Sequence, residues 1–273
     1  MEWLDALILG IVQGLAEYLP VSSSGHLEIF REILGIDLPA ADAMEFDVLL
    51  HAATVCSTLV ILWPLFKRLC VSFFTFKRDY DFYYVCKILV SCIPVAIVGF
   101  CFKDQVEQFF GGNLHVVGVC LLITALLLVF AHYSDRFIPA NRGRNIGWLD
   151  ALIIGCAQAV AVLPGLSRSG TTIATGVIIG DKRSEMAQFS FLMVIIPILG
   201  EALLDLKDML FPDAADAAVS AHIGALPMVI GFVASFVVGC CACKWMIDLV
   251  KKGKLVWFAL YCVVMGIVCL LWN

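Results

Sequence analysis

The stretch WLDALILGIVQG at Trp3 returns 145 residues later as WLDALIIGCAQA at Trp148. Seven of the first eight positions are identical, and Ser24–Gly25 recurs at the same offset as Ser169–Gly170. A chain that repeats itself in this way is expected to fold as two related halves, here 1–145 and 146–273, joined in one membrane domain. Both copies are apolar but short, over about 3–19 and 148–163. Crossing a bilayer takes roughly 17–25 mostly apolar residues. Both copies also end in polar sequence, LPVSSSGH and LPGLSRSG. They therefore read as re-entrant elements, whose irregular tips are tolerable only where protein or a watery cavity surrounds them. Pro20 and Gly25, and Pro164, Gly165 and Gly170, fit a helix break at each tip.

Composition says which solvent such a fold needs. The chain is 62% hydrophobic and only 15% charged, where a soluble domain is about a quarter charged. No basic stripe interleaved with aromatics appears, so no nucleic acid partner is expected. The acidic start MEWLDALILG lacks the marks of a cleaved signal and reads as retained. The twelve cysteines sit mostly in apolar runs and read as small buried side chains, the CCAC cluster at Cys240, Cys241 and Cys243 included.

Six runs are long enough to span, at about 46–66, 82–102, 114–134, 185–206, 222–243 and 255–272. Thirteen Lys and Arg residues fall in one set of connecting segments and three in the alternate set. The basic set is expected in the cytoplasm, with both chain ends outside. Each half then holds one re-entrant element and three spans. Three is odd, so the second half is inserted upside down. The expected fold is an all-α polytopic membrane protein with six transmembrane helices and two re-entrant helical elements, in an inverted-topology repeat that places a site at the repeat interface.

The two tips carry the chemistry. The first offers Gln13, Glu17, Ser22, Ser23, Ser24 and His26. Gln13 and Glu17, four apart, share a helix face. An ionisable residue at membrane depth marks a functional site. The second tip offers Ser167, Arg168, Ser169, Thr171 and Thr172. An embedded Arg168 needs an anion: Glu17, a lipid headgroup or a substrate phosphate. Hydroxyls, glycine-turn amides and helix starts suit phosphate. A carboxylate can bind a divalent cation that bridges phosphate oxygens. Asp47 and His51, in FDVLLHAAT, are spaced four apart and form either a support to this site or an ordinary helix-end pair. Glu201 reads as snorkelling to the surface.

In these motifs the sequence resembles the undecaprenyl-diphosphatase family, also called the bacitracin-resistance protein family. The first signature stands as QGLAEYLPVSSSGH, Gln13 to His26, and the second as PGLSRSGTT, Pro164 to Thr172. DKRSEMAQFSFL, Asp181 to Leu192, and FDVLLHAAT also look like the family. Gln13 takes an amide where the family often has Glu, so a role needing a carboxylate pair there is not expected. The resemblance implies hydrolysis of undecaprenyl diphosphate to undecaprenyl phosphate and inorganic phosphate. That reaction recycles the lipid carrier for cell-wall synthesis and confers bacitracin resistance. The resemblance also implies a Mg2+ or Ca2+ ion and a site open to the outer face of the bacterial cytoplasmic membrane.

On that reading Arg168 clamps the diphosphate, with Ser167, Ser169, Gly170 and Thr172 beside it. Ser22, Ser24 and Gly25 line the substrate from the first tip. Glu17, with Gln13, holds the cation through the substrate phosphates or positions water. Either Ser23 or His26 attacks phosphorus, and the other assists proton transfer. The rival expectation is a transporter or lipid flippase built on the same inverted repeat. A serine protease leaves Arg168 and Glu17 without work. The expected partners are a polyprenyl diphosphate and membrane lipids; the sequence does not define the oligomeric state, and a homodimer stays open.

Overall fold

The computed structural model describes residues 1–102, 113–137, 143–200, 203, 223–252 and 254–272. The described residues form helices and no sheet; their one β-bridge, Arg144 to Asp181, is isolated. The first arm is α1 (Trp3–Ala16), a turn, and α2 (Ser23–Leu34). Next come α3 (Ala40–Ile61), α4 (Trp63–Phe74), α5 (Tyr80–Cys101) and α6 (Leu114–Phe137). The second arm repeats the pattern with α7 (Trp148–Val160), a turn, and α8 (Arg168–Ile179). α9 (Arg183–Met193), α10 (Ala225–Lys251) and α11 (Val256–Leu271) follow.

Among the described residues four helices are long and apolar enough to cross a membrane: Asp42–Ile61, Tyr80–Cys101, Leu114–Ser134 and Ala225–Lys251. The other two expected spans differ from the reading above. Val256–Leu271 is shorter, at 16 residues. The 185–206 run is broken at Val194, after which helix resumes over 195–200. Proline explains the break. Pro197 lacks the N–H that would reach the Met193 carbonyl, and that carbonyl instead accepts the Cys92 thiol at 3.4 Å. The 46–66 run likewise bends at Leu62, where Pro64 opens α4. Glu201 and the 204–222 segment lie outside the described residues.

Small residues let the arms sink into the bundle. Within membranes, where lipid is as apolar as Leu, helices associate by close backbone approach. α1 presents Gly10 and Gly14 to Gly231, Ser235 and Gly239 of α10. A Cβ at Gly14 would lie 2.6 Å from the Ser235 carbonyl oxygen. α7 places Gly155 against the Ser91 backbone of α5 in the same manner. Each arm thus packs on a helix of the other half of the chain. α6 and α11 cross at Gly118 and Gly266, and each glycine faces the other's carbonyl oxygen, with 2.9 Å to a Cβ in either direction.

At the junction of α8 and α9, Asp181 is fully buried. Neither carboxylate oxygen has a hydrogen-bond partner, and Arg144 Nε stands 3.8 Å from one of them. Burial, with Asp150 nearby, pushes its pKa up to about 7 against the opposing pull of Arg144.

Two outcomes are expected. Gly14→Leu should lower the thermal midpoint in detergent, at a cost of about 1–3 kcal/mol from overpacking. Gly99→Ala, which meets nothing within 4 Å, should leave it unchanged or slightly raised. Because the folded pKa of Asp181 exceeds its unfolded value near 4, its stabilising contribution is complete below about pH 4 and is lost as pH rises through 7. Asp181→Asn should therefore raise the midpoint by several degrees at pH 8 and by much less at pH 5, as read by melts at the two pH values.

Candidate active site

The two arm tips are built alike. Ser22 caps α2 and its Oγ accepts the Gly25 N–H at 3.3 Å; Ser167 caps α8 and accepts the Gly170 N–H at 3.0 Å. Both are favoured N-cap residues. Ser22 has φ +72°, in the left-handed region that costs a side-chain-bearing residue energy. Gly165 has φ +87° and lies so close to α6 that a Cβ would come within 2.6 Å of Val117 Cα. Only glycine satisfies both conditions there.

The tips meet. Ser169 Oγ donates to the Leu19 carbonyl at 3.2 Å, and Gly25 rests on Gly165. Glu17 becomes the centre of the contact. Its Oε2 accepts from Ser23 Oγ at 2.7 Å and from Gln13 Nε2 at 3.0 Å. His51 Nε2 stands 3.5 Å from the same oxygen. Across the tips, an Arg168 NH2 group lies 4.0 Å from Glu17 Oε1. That spacing is an ion pair but too long for a hydrogen bond, and the guanidinium keeps donors for a further anion.

A cavity opens beside this group, lined by Glu17, Tyr18, Thr54, Arg168, Ser169 and Ser190 on its polar side. Val55, Phe191, Val194 and Ile198 close its apolar side. Its volume is about 10 Å³, roughly room for one water.

The geometry separates the expected residues. Glu17, Ser23, Gln13, Arg168, Ser169 and His51 converge. Ser22 and Ser167 spend their hydroxyls on capping, which also occupies the Gly25 and Gly170 amides. Ser24 Oγ lies 3.5 Å from Ser22 Oγ. Thr172 Oγ1 bonds the Arg168 carbonyl at 2.8 Å and Ser190 Oγ at 2.7 Å, bracing the turn under Arg168. Asp47 and His51 are not a side-chain pair: Asp47 carries the Arg31 ion pair, and His51 Nδ1 bonds the Asp47 backbone carbonyl at 2.7 Å.

His26 has both ring nitrogens engaged away from Glu17. Nδ1 faces the Ser22 carbonyl at 2.7 Å, so it carries the hydrogen and braces the strained Ser22 turn. Nε2 meets Tyr261 Oη at 2.6 Å, with the two rings stacked 5.5 Å apart.

Tyr18, Thr54, Ser190 and Tyr261 were not anticipated. Thr54 had a signal: with His51 and Thr58 it forms a polar stripe at helical spacing in an apolar run. Tyr18 Oη joins the Thr54 carbonyl, Ser57 Oγ and Thr58 Oγ1 at 2.6–2.8 Å, tying α3 to the first tip. Nothing in local sequence marks it, because its partners lie about 40 residues away.

Fold and site together define a multi-pass helical membrane protein with a buried carboxylate–hydroxyl–guanidinium centre. The chain matches the family described as bacitracin resistance protein BacA over residues 6–268, and it belongs to that family. It is 53% identical to the undecaprenyl-diphosphatase of Bacteroides fragilis over 268 residues, which is 98% of this chain and 97% of the relative. It is 43% identical to that of Christiangramia forsetii, covering 99% of this chain and 98% of the relative. It is 36% identical to that of Oceanobacillus iheyensis, covering 97% and 94%.

Tyr18→Phe removes one hydroxyl from a buried knot but leaves Ser57 and Thr58 bonded to the Thr54 carbonyl. It should cost about 1–2 kcal/mol, read as a fall of a few degrees in the thermal midpoint.

Proposed function

We propose that the protein hydrolyses undecaprenyl diphosphate to undecaprenyl phosphate and inorganic phosphate, recycling a lipid carrier for cell-wall synthesis. The observation that carries this reading is the Ser23–Glu17 hydrogen bond of 2.7 Å facing Arg168 across the arm tips. It stands in a chain whose full-length relatives are named for that reaction. Nothing in those names favours the transport alternative.

The residues divide the work. Ser23 Oγ attacks the terminal phosphorus as its proton passes to Glu17 Oε2. The bond from that phosphorus to the bridging oxygen breaks, the proton on Glu17 passes to that oxygen, and undecaprenyl phosphate leaves. Arg168 stabilises the charge that builds on the phosphoryl oxygens, a contribution that commonly reaches about 100- to 1000-fold in rate. Glu17, ionised again, takes a proton from water as the water oxygen attacks the phosphoserine; the bond from phosphorus to Ser23 Oγ breaks, Glu17 returns the proton to Oγ, and phosphate leaves. Gln13 orients Glu17, and Ser169 joins the tips. His26 acts on the Ser22 turn rather than as the nucleophile.

The expected ion is Mg2+ or Ca2+. Among the described residues no three His, Cys, Asp or Glu side chains could together hold a metal. The cation enters this reading only as a counter-ion brought by the diphosphate, and no step above runs through it.

The membrane arrangement of this reading is six spans and two re-entrant arms in an inverted repeat, with halves 1–145 and 146–273. Three things support it: the sequence repeat, the exchange of arms between halves, and the mutual Gly118–Gly266 contact. In this reading the site opens to the outer face of the cytoplasmic membrane, as the resemblance to the family implies. A homodimer is compatible with it.

Purified protein in detergent should release phosphate from undecaprenyl diphosphate. Ser23→Ala and Arg168→Ala should each lower kcat by about 100-fold or more, while His26→Ala retains more activity than Ser23→Ala. Chelation should suppress the wild-type rate and added Mg2+ restore it. Turnover by Ser23→Ala at the wild-type rate would overturn the nucleophile assignment.

A further inference from the structure

The reaction requires Glu17 Oε2 to face Ser23 Oγ, while Arg168 stands at the other oxygen, Oε1, and draws on the carboxylate. Gln13 Nε2 helps to hold Oε2, at 3.0 Å. A third group stands on the Oε2 side.

His51 occupies that side. Its Nδ1 lies 2.7 Å from the Asp47 carbonyl oxygen, which only accepts, so Nδ1 carries a hydrogen. Its Nε2 lies 3.5 Å from Glu17 Oε2, which is also an acceptor. The two form an ion pair when the imidazole is charged. The ring itself is fixed. The Arg31–Asp47 ion pair anchors the turn that supplies the carbonyl, and Thr54 Oγ1 bonds the His51 carbonyl at 2.7 Å. The His51 and Glu17 side chains are 13% and 9% exposed, so water competes weakly for either. The charged groups around the pair are Arg168, from α8, and the Arg31–Asp47 pair, from α2 and α3.

We infer that His51 is a positioning residue for phosphoryl transfer, holding Glu17 Oε2 against Ser23 from the side opposite Arg168. The inference rests on the phosphatase reading and names the imidazole that serves it. That imidazole belongs to His51 on α3, not to His26 beside the serine turn. His51 acts through Glu17 and does not touch the substrate, so its removal changes the chemical step and not binding.

The test compares His51→Leu, which removes the polar contact with Glu17, with His51→Gln, which keeps an amide N–H of similar reach. Two rates are read: phosphate release from undecaprenyl diphosphate, and covalent labelling of Ser23 by an alkyl fluorophosphonate, located by mass spectrometry. In labelling, Ser23 Oγ displaces fluoride from phosphorus and its proton goes to Glu17, so the nucleophile is read whatever the natural substrate is. His51→Leu should lower kcat and labelling rate together by about 10- to 100-fold, the scale of an ångström of misplacement, with KM within twofold. His51→Gln should recover both to within about threefold. If His51→Leu labels and turns over like wild type, the assignment is overturned. If His51→Gln is as slow as His51→Leu, the loss is one of packing and the assignment is again overturned. If wild type labels at Ser23 without releasing phosphate, the phosphatase reading fails, and the variants' labelling rates still decide the role of His51.

Discussion

The contact between the two arm tips governs the rest of the structure. Ser169 reaches the Leu19 carbonyl, and Arg168 faces Glu17 at 4.0 Å. Each of those charges alone would be costly at membrane depth. Together, with Ser23, Gln13 and His51 around the carboxylate, they become tolerable and useful. The bundle is shaped to bring them together. Gly10 and Gly14 let α1 sink against α10, and Gly155 does the same for α7 against α5. Without that close approach the tips would not touch.

The site is also held from beneath. Tyr18 fastens the first tip to α3, the same helix that presents His51 and Thr54. Thr172 and Ser190 brace the second tip from α9. Tyr261 on α11 orders His26, which in turn steadies Ser22. The two tips therefore rest on three further helices, α3, α9 and α11, as a preorganised centre requires.

Much of this was legible in the sequence. The repeat placed both arms, and the cost of burying Glu17 and Arg168 marked them as partners. Ser23 stood out with them, though not above His26. The proposed preference for Ser23 rests on the orientation of the His26 ring, which meets Tyr261, 235 residues away. The helix breaks had local causes in Pro64 and Pro197, but hydropathy averages over a proline, so both runs read as single spans. Ser22 and Ser167 read as ligands because a capping serine and a phosphate-binding serine look alike before the Gly25 and Gly170 amides are located.

One buried residue marks where the two arms part ways. Gln158 is the counterpart of Gln13 at the repeat offset, but where the first arm has Glu17 the second has Val162. Gln158 is 1% exposed, and neither end of its amide has a partner in the described structure. An orphaned amide is expensive in such a place. At the same offset Arg168 stands where the first arm has Ser23. The two arms are therefore complementary rather than equal: one brings the acid and the hydroxyl, the other the guanidinium.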